Sequence, residues 1–195
     1  MTAAPYPSWT VEQFLAWEER QEARYEFDGI GPVAMAGGSE AQAEIQRNLL
    51  VTVAARLNRT PCRIVGSDLK LLVAGHVRYP DAMILCSPRE AGRSVVADPV
   101  VVFEILCEST ANTDLIEKNA EYRATESIQR YVILEQTHIA AIMFSRKGED
   151  WVVEIIAGET GVLRLPEVGV EFLLNELYRD VELAPRTTAL NALSP

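Results

Sequence analysis

The chain has 195 residues, 48% hydrophobic and 24% charged, an ordinary globular composition with enough length for one domain and a real core. Its 18 Lys and Arg against 28 Asp and Glu give a net charge of −10, which speaks against a general nucleic-acid coating protein, because phosphate binding draws on clustered basic residues. No apolar run approaches the roughly 20 residues needed to span a membrane. The N-terminus has neither the basic nor the apolar stretch of a secretory signal, so a cytoplasmic location is expected. Cys62, Cys86 and Cys107 are odd in number, far apart and set among apolar neighbours. They are read as buried free thiols rather than zinc ligands.

In chain order, Thr10 followed by Gln13 is a capping-box pattern, and Val11, Phe14, Leu15 and Trp17 predict a helix to about Ala23. Asp28-Gly29 and Gly31-Pro32 between apolar flanks predict a hairpin over Tyr25 to Met35. Ile45, Leu49, Val53 and Leu57 recur every four positions, the stripe of an amphipathic helix over Glu40 to Leu57. Two strands are expected over Arg63 to Val73 and Val77 to Cys86, with a turn at Ala74-Gly75, followed by a polar loop over Ser87 to Asp98. The run Val100 to Leu106 suits a strand buried on both faces. A helix from about Asn112 to Thr125 follows, then strands over Arg130 to Leu134, Ile139 to Phe144 and Trp151 to Ile156, and a short helix over Phe172 to Tyr178. The order predicts one α/β domain over residues 1–183, a mixed β-sheet core flanked by helices with an N-terminal helix and hairpin, and a disordered tail over 184–195.

Two acids stand out. Glu104 interrupts an otherwise apolar strand, where an unpaired carboxylate is expensive to bury. Strand alternation puts it on one face with Val102 and Leu106, opposite Phe103 and Ile105. Asp81 follows Tyr79-Pro80 and opens Ala82-Met83-Ile84-Leu85, a second acid at the start of a buried strand. If the two strands are neighbours, the carboxylates can share one hard cation, since Mg²⁺ takes one or two carboxylates with waters and substrate phosphate. The competing reading pairs each acid with an arginine, such as Arg78 or Arg123.

Pro80-Asp81 followed by Glu104-Ile105-Leu106 resembles the PD-(D/E)XK nuclease pattern. The wider chain resembles the Uma-two family of restriction-endonuclease-like proteins. That likeness rests on Arg24-Tyr25-Glu26-Phe27-Asp28-Gly29, Met35-Ala36-Gly37-Gly38, Gly66-Ser67-Asp68-Leu69-Lys70 and Arg78-Tyr79-Pro80-Asp81. Val102 to Leu106, Asp114 to Lys118 with Tyr122, and Arg130-Tyr131-Val132 complete it, in order, over nearly the whole chain.

The resemblance implies a restriction-endonuclease-like fold and Mg²⁺- or Mn²⁺-dependent hydrolysis of DNA phosphodiesters. Asp81 and Glu104 would hold the metal with help from the Ile105 carbonyl. The lysine that normally follows the glutamate by two positions is replaced by Leu106. Two lysines can substitute: Lys118, which shares a helix face with Leu115 and Tyr122, and, as second choice, Lys70. Lys118 has a bland alternative, its stem on apolar surface and its amine in water. Glu26 matches an accessory acid of such nucleases and is equally a surface hairpin acid. Gln42 stands where relatives often carry histidine, and Cys107-Glu108 departs from the usual Ser-Pro or Ser-Ala. His76 and His138 read as surface residues near turns. The second functional reading is therefore a weakly active or inactive nuclease-fold module that binds nucleic acid or protein. A homodimer would suit two cuts on duplex DNA.

Overall fold

A computed structural model describes residues 9–57, 60–106 and 113–183. Helix α1 (Val11–Glu18) begins with the expected capping box: the Gln13 N–H donates to the Thr10 hydroxyl at 3.2 Å and the Thr10 N–H to the Gln13 side chain at 3.0 Å. It stops at Glu18, short of Ala23, because Glu19 to Glu22 offers no apolar residue to bury. Strands β1 (Tyr25–Phe27) and β2 (Pro32–Ala34) form the predicted hairpin, whose turn is tied by Ile30 and Gly31 N–H groups donating to the Asp28 carboxylate. Helix α2 (Glu40–Arg56) is capped by Ser39, and its stripe of Ile45, Leu49 and Val53, with Leu57 just beyond, is buried.

The main departure comes next. Each of the two long strands expected between Arg63 and Cys86 is two short ones. The first splits at Ser67-Asp68 into β3 (Arg63–Gly66) and β4 (Lys70–Val73), and the second splits at Tyr79-Pro80-Asp81 into β5 (His76–Arg78) and β6 (Ala82–Leu85). Pro80 has no N–H to give a ladder, so a continuous strand is costly there. The predicted Ala74-Gly75 turn joins β4 to β5 with both residues at positive φ, 47° and 82°, the backbone of a tight hairpin turn.

The other strands are β7 (Val95–Val96), inside the expected loop, β8 (Pro99–Leu106), β9 (Arg130–Glu135), β10 (Ala140–Lys147), β11 (Asp150–Ala157), β12 (Val162–Leu165) and β13 (Val170–Leu173). The last two were not expected: β12 and β13 pair as a hairpin, and the helix foreseen over Phe172 to Tyr178 is a 3₁₀ segment confined to Leu174–Tyr178. The helix foreseen from Asn112 is a π-helical turn, Thr113–Lys118, running into α3 (Asn119–Ala124). Asn112, Glu108, Cys107 and the 184–195 tail lie outside the described residues.

Two mixed sheets result, ordered β2-β1-β5-β4-β7 and β11-β10-β9-β8-β6-β3. In the larger, β8 is central, antiparallel to β6 and parallel to β9. One face packs Val101, Phe103 and Ile105 against α2 and the β12–β13 hairpin. The other packs Val102 with Tyr122, Tyr131 and Ile133, together with Leu71 and Val96 of the smaller sheet, as strand alternation requires. The chain passes between the sheets at Gly66 to Lys70 and again at Tyr79 to Asp81, which sets Asp81 at a corner.

Cys62 and Cys86 are not free thiols. They lie one step beyond the Arg63–Leu85 cross-strand pair and are joined as a disulfide, a pairing that a separation of 24 residues conceals. Among the described residues no helix is long and apolar enough to cross a membrane.

Leu49 is fully buried between α2 and the large sheet, whereas Val51 on the same helix is 66% exposed. Leu49→Ala is expected to destabilise the protein by about 2–5 kcal/mol and Val51→Ala by no more than about 0.5 kcal/mol, read from urea denaturation.

Candidate functional site

The break at Pro80 puts Asp81 one residue before β6, whose first pair is Ala82 with Phe103. Asp81 therefore stands beside Glu104 at the end of the central strand. Its Oδ2 accepts the Ile105 N–H at 2.7 Å, and its Oδ1 accepts from Gln42 Nε2 at 3.1 Å. One turn along α2, Gln46 Nε2 donates to the Asp81 carbonyl at 2.7 Å. Gln42 and Gln46 thus aim two amides at one acid from the same helix face, and the contact of Gln46 had no signal in the sequence beyond the i, i+4 spacing.

Glu104 is almost fully buried. Its Oε1 accepts from Lys118 Nζ at 3.0 Å and from the Tyr122 hydroxyl at 2.9 Å. Lys118 Nζ also lies 3.2 Å from Asp114 Oδ1 and 3.5 Å from Glu26 Oε1, so three carboxylates surround one buried ammonium. Leu106 packs among the apolar residues around Tyr122, and Lys118 reaches Glu104 from the helix instead. The π-helical turn carries Asp114 and Lys118 directly into α3 and Tyr122, an irregularity frequent at functional sites.

A second buried network supports the first. Arg78 donates through Nε and Nη2 to both Glu121 oxygens at 2.8 and 2.5 Å, and through Nη1 to Glu26 Oε2 at 3.1 Å. The Tyr79 N–H donates to Glu26 Oε1 at 3.0 Å. Glu26 is therefore held by Arg78 on one side and faces Lys118 on the other. It is no solvated hairpin acid. Among the described residues no arginine pairs with Asp81 or Glu104: Arg78 serves Glu26 and Glu121, and Arg123 lies over the Trp151 ring. His76 sits at the β4–β5 turn, 3.6 Å from Glu121.

Asp81, Glu104, Ile105, Glu26, Asp114, Lys118 and Gln42 all line one cleft of about 320 Å³, to which Val33 and Ala34 of β2 also contribute. Lys70 does not line it. It pairs instead with Glu18 at 3.0 Å, beside the Tyr79 hydroxyl that donates to the same acid at 2.7 Å, and so ties α1 to the smaller sheet. Asp114, Tyr122 and Glu121 were overlooked as site residues. The Asp114, Lys118, Tyr122 spacing of four and four was the available clue.

Burial raises the Asp81 carboxyl, against the Ile105 N–H, Gln42 and Lys118. Burial also pushes Glu104 up to about 8, opposed by Lys118 and reinforced by the other acids. Burial works against the Lys118 charge, but Glu104, Glu26 and Asp114 outweigh it and raise its pKa. Lys118 therefore keeps its proton, while burial first, and the neighbouring acids after it, favour the protonated form of Glu104. Among the described residues no three His, Cys, Asp or Glu side chains form a ready metal-ligand set. The donor chemistry nonetheless suits a hard cation: two carboxylates and a main-chain carbonyl, all oxygen, with room for water.

The family model described as "Uma2: Putative restriction endonuclease" matches residues 11–175. The chain belongs to the Uma2 family. Two Synechocystis sp. relatives of this Uma2 chain are the uncharacterized proteins slr1290, 28% identical over 91% of this chain and 95% of that one, and sll1609, 25% identical over 77% and 88%. Its fold is similar to the crystal structure of a putative nuclease belonging to DUF820 from Anabaena variabilis, with a TM-score of 0.73, 14% identity and coverage of 88% of this chain and 98% of that one.

With its pKa raised to about 8, Glu104 binds its proton more tightly in the folded chain than in the unfolded one, where it is released near 4.5, so stability is expected to fall as pH rises from about 4.5 through about 8. Asp81 adds to the slope in the same sense. Glu104→Gln should flatten the slope, as measured by urea denaturation across that range. An equally steep slope in the variant would place the linkage on other groups.

Proposed function

We propose that this Uma2-family chain is a metal-dependent endonuclease acting on DNA, with Asp81, Glu104 and the Ile105 carbonyl as ligands for Mg²⁺ or Mn²⁺. The observation that carries the reading is the meeting of Asp81, Glu104 and Lys118 at the end of the central strand, inside the cleft. Ile105 gives its N–H to Asp81, and in an extended strand the carbonyl of the same residue leaves on the same edge, toward the corner. A bound divalent cation would lower the pKa of its water and balance charge on the scissile phosphate.

The protein's own groups have distinct tasks in this reading. Gln42 and the Ile105 N–H hold the Asp81 carboxylate in one orientation. Tyr122 does the same for Glu104. Lys118 keeps its proton among the acids, so it serves as a fixed positive charge and donor beside the phosphate rather than as a base. Glu26, anchored by Arg78 and the Tyr79 N–H, restrains that ammonium from the other side.

A second reading, a binding module that cuts weakly or not at all, draws on Leu106 at the usual lysine position. It also draws on the cleft's excess of acid: Glu26, Asp28, Asp81, Glu104, Asp114 and Glu117 against Arg78 and Lys118.

Cleavage of duplex and single-stranded DNA with Mg²⁺ or Mn²⁺ separates the two. Asp81→Ala and Lys118→Ala are each expected to lose roughly 10²-fold or more in rate, the scale of removing one preorganised charge or donor. Lys70→Ala, outside the cleft, should retain the rate wherever it remains folded, and chelation should abolish cutting. Wild type that cuts no DNA with either metal would favour the binding module. A fully active Lys118→Ala with an inactive Asp81→Ala would overturn the lysine assignment alone.

A further inference from the structure

The two edges of the six-stranded sheet differ. Strand β3 ends one edge with four partly buried residues, Arg63–Gly66, and so is short and carries a charge, two of the ways an edge is guarded. Strand β11 ends the other with eight residues, and among the described residues its one strand neighbour is β10. Val152, Val153 and Ile155 on β11 are 47%, 54% and 72% exposed. A long, exposed, apolar edge is normally avoided in a protein that stays single, since its free N–H and C=O groups template another strand.

We propose that the β11 edge is a self-association surface, pairing antiparallel with β11 of a second copy about a two-fold axis through Val153. The occupant and the register follow from the strand. Two antiparallel neighbours of a single sheet are related by a two-fold perpendicular to it, which keeps each face on its own side. Odd-numbered residues must therefore face odd-numbered ones, and even must face even. Three central registers satisfy this. Centred on Val152, the pairing sets Asp150 opposite Glu154, and centred on Glu154 it sets that acid opposite itself, both like-charge contacts that destabilise a ladder. Centred on Val153, no two acids on the paired strands meet. Trp151 then faces Ile155 on both sides of a Val153–Val153 pair, a continuous apolar row on one face. On the other face Val152 covers Glu154, and Asp150 faces Ile156. Trp151 is already held by the Arg146 guanidinium 4.6 Å from its ring centroid, so the row is anchored at both ends. Such pairing is isologous and closed, and it would join two six-stranded sheets into one.

This inference stands apart from the nuclease reading, because oligomeric state is measured without any substrate. Sedimentation velocity of the full chain over a range of concentrations is expected to show a monomer–dimer equilibrium. Val153→Lys, which sets two ammonium groups face to face at the axis, should raise the dimer dissociation constant at least tenfold with unchanged circular dichroism. Val153→Cys should cross-link between copies under mild oxidation. Ile155→Cys should not, since in this register its two copies lie about 13 Å apart along the strands, four residues at about 3.3 Å each. The wild type, which carries Cys107, is the control for cross-linking. A wild type that is monomeric at every concentration overturns the proposal, as does a dimer that Val153→Lys leaves unchanged. Cross-linking of Ile155→Cys without Val153→Cys overturns the register. If removing residues 184–195 converts a monomer into a dimer, the edge belongs to the chain's own C-terminal segment, and the proposal as stated fails.

Discussion

The Lys118 ammonium, buried among Glu104, Asp114 and Glu26, is the interaction on which the rest of this structure turns. Breaking a buried ion pair by removing one partner costs several kcal/mol, about 3–5, because the charge left behind has no water to solvate it. Here one cation serves acids from three separate elements: the β1 strand, the central strand and the π-helical turn. Lys118 therefore fixes the position of the helix, the hairpin and the sheet relative to one another. The acids around that ammonium outnumber it, and Arg78 takes up one of them, Glu26, from the other side.

The second constraint is the corner at Tyr79-Pro80-Asp81. A strand that ran unbroken from Val77 to Cys86 would keep Asp81 in a ladder, with its side chain committed to one sheet face. Because the chain changes sheets at Pro80, Arg78 stays with the smaller sheet and reaches Glu26 and Glu121, while Asp81 opens the larger sheet beside Ile105. The Arg78 network and the Asp81 corner are thus two products of one break. They converge on the cleft from opposite sides, with Glu26 as the acid they share with Lys118. Exposed ion pairs on this surface, such as Arg164 with Glu171, contribute little by comparison, since water and salt screen them.

Several readings from residue pattern hold in the structure for identifiable physical reasons. The capping box at Thr10, the four-residue stripe of α2 and the alternation of β8 are local rules, and each needs only its own segment to operate. Lys118 aims inward because Leu115 and Tyr122 flank it on a stripe that must be buried. The disulfide was hidden because Cys62 and Cys86 are neighbours only across the β3–β6 ladder. Strands β12 and β13 were missed, and the segment from Phe172 read as helix, because short apolar runs carry no decisive period and the pairing partner settles their form. Lys70 lay in a motif near Asp81, yet its side chain falls on the α1 side of the smaller sheet, where Glu18 takes it.

The sequence by itself determined that this is a mixed α/β chain, that Glu104 is an acid committed to a buried central strand, and that Asp81 opens the next buried strand. Hydrophobic period and the cost of burying charge are local properties, and they act wherever the segment ends up. Only the tertiary structure decided that Lys118 rather than Lys70 meets Glu104, that Gln42 and Gln46 hold Asp81, and that Arg78 serves Glu26 and not the strand acids. Those outcomes depend on where two sheets and two helices come to rest against each other. A buried charge takes whichever partner that packing brings within about 3 Å, and sequence spacing does not encode that distance.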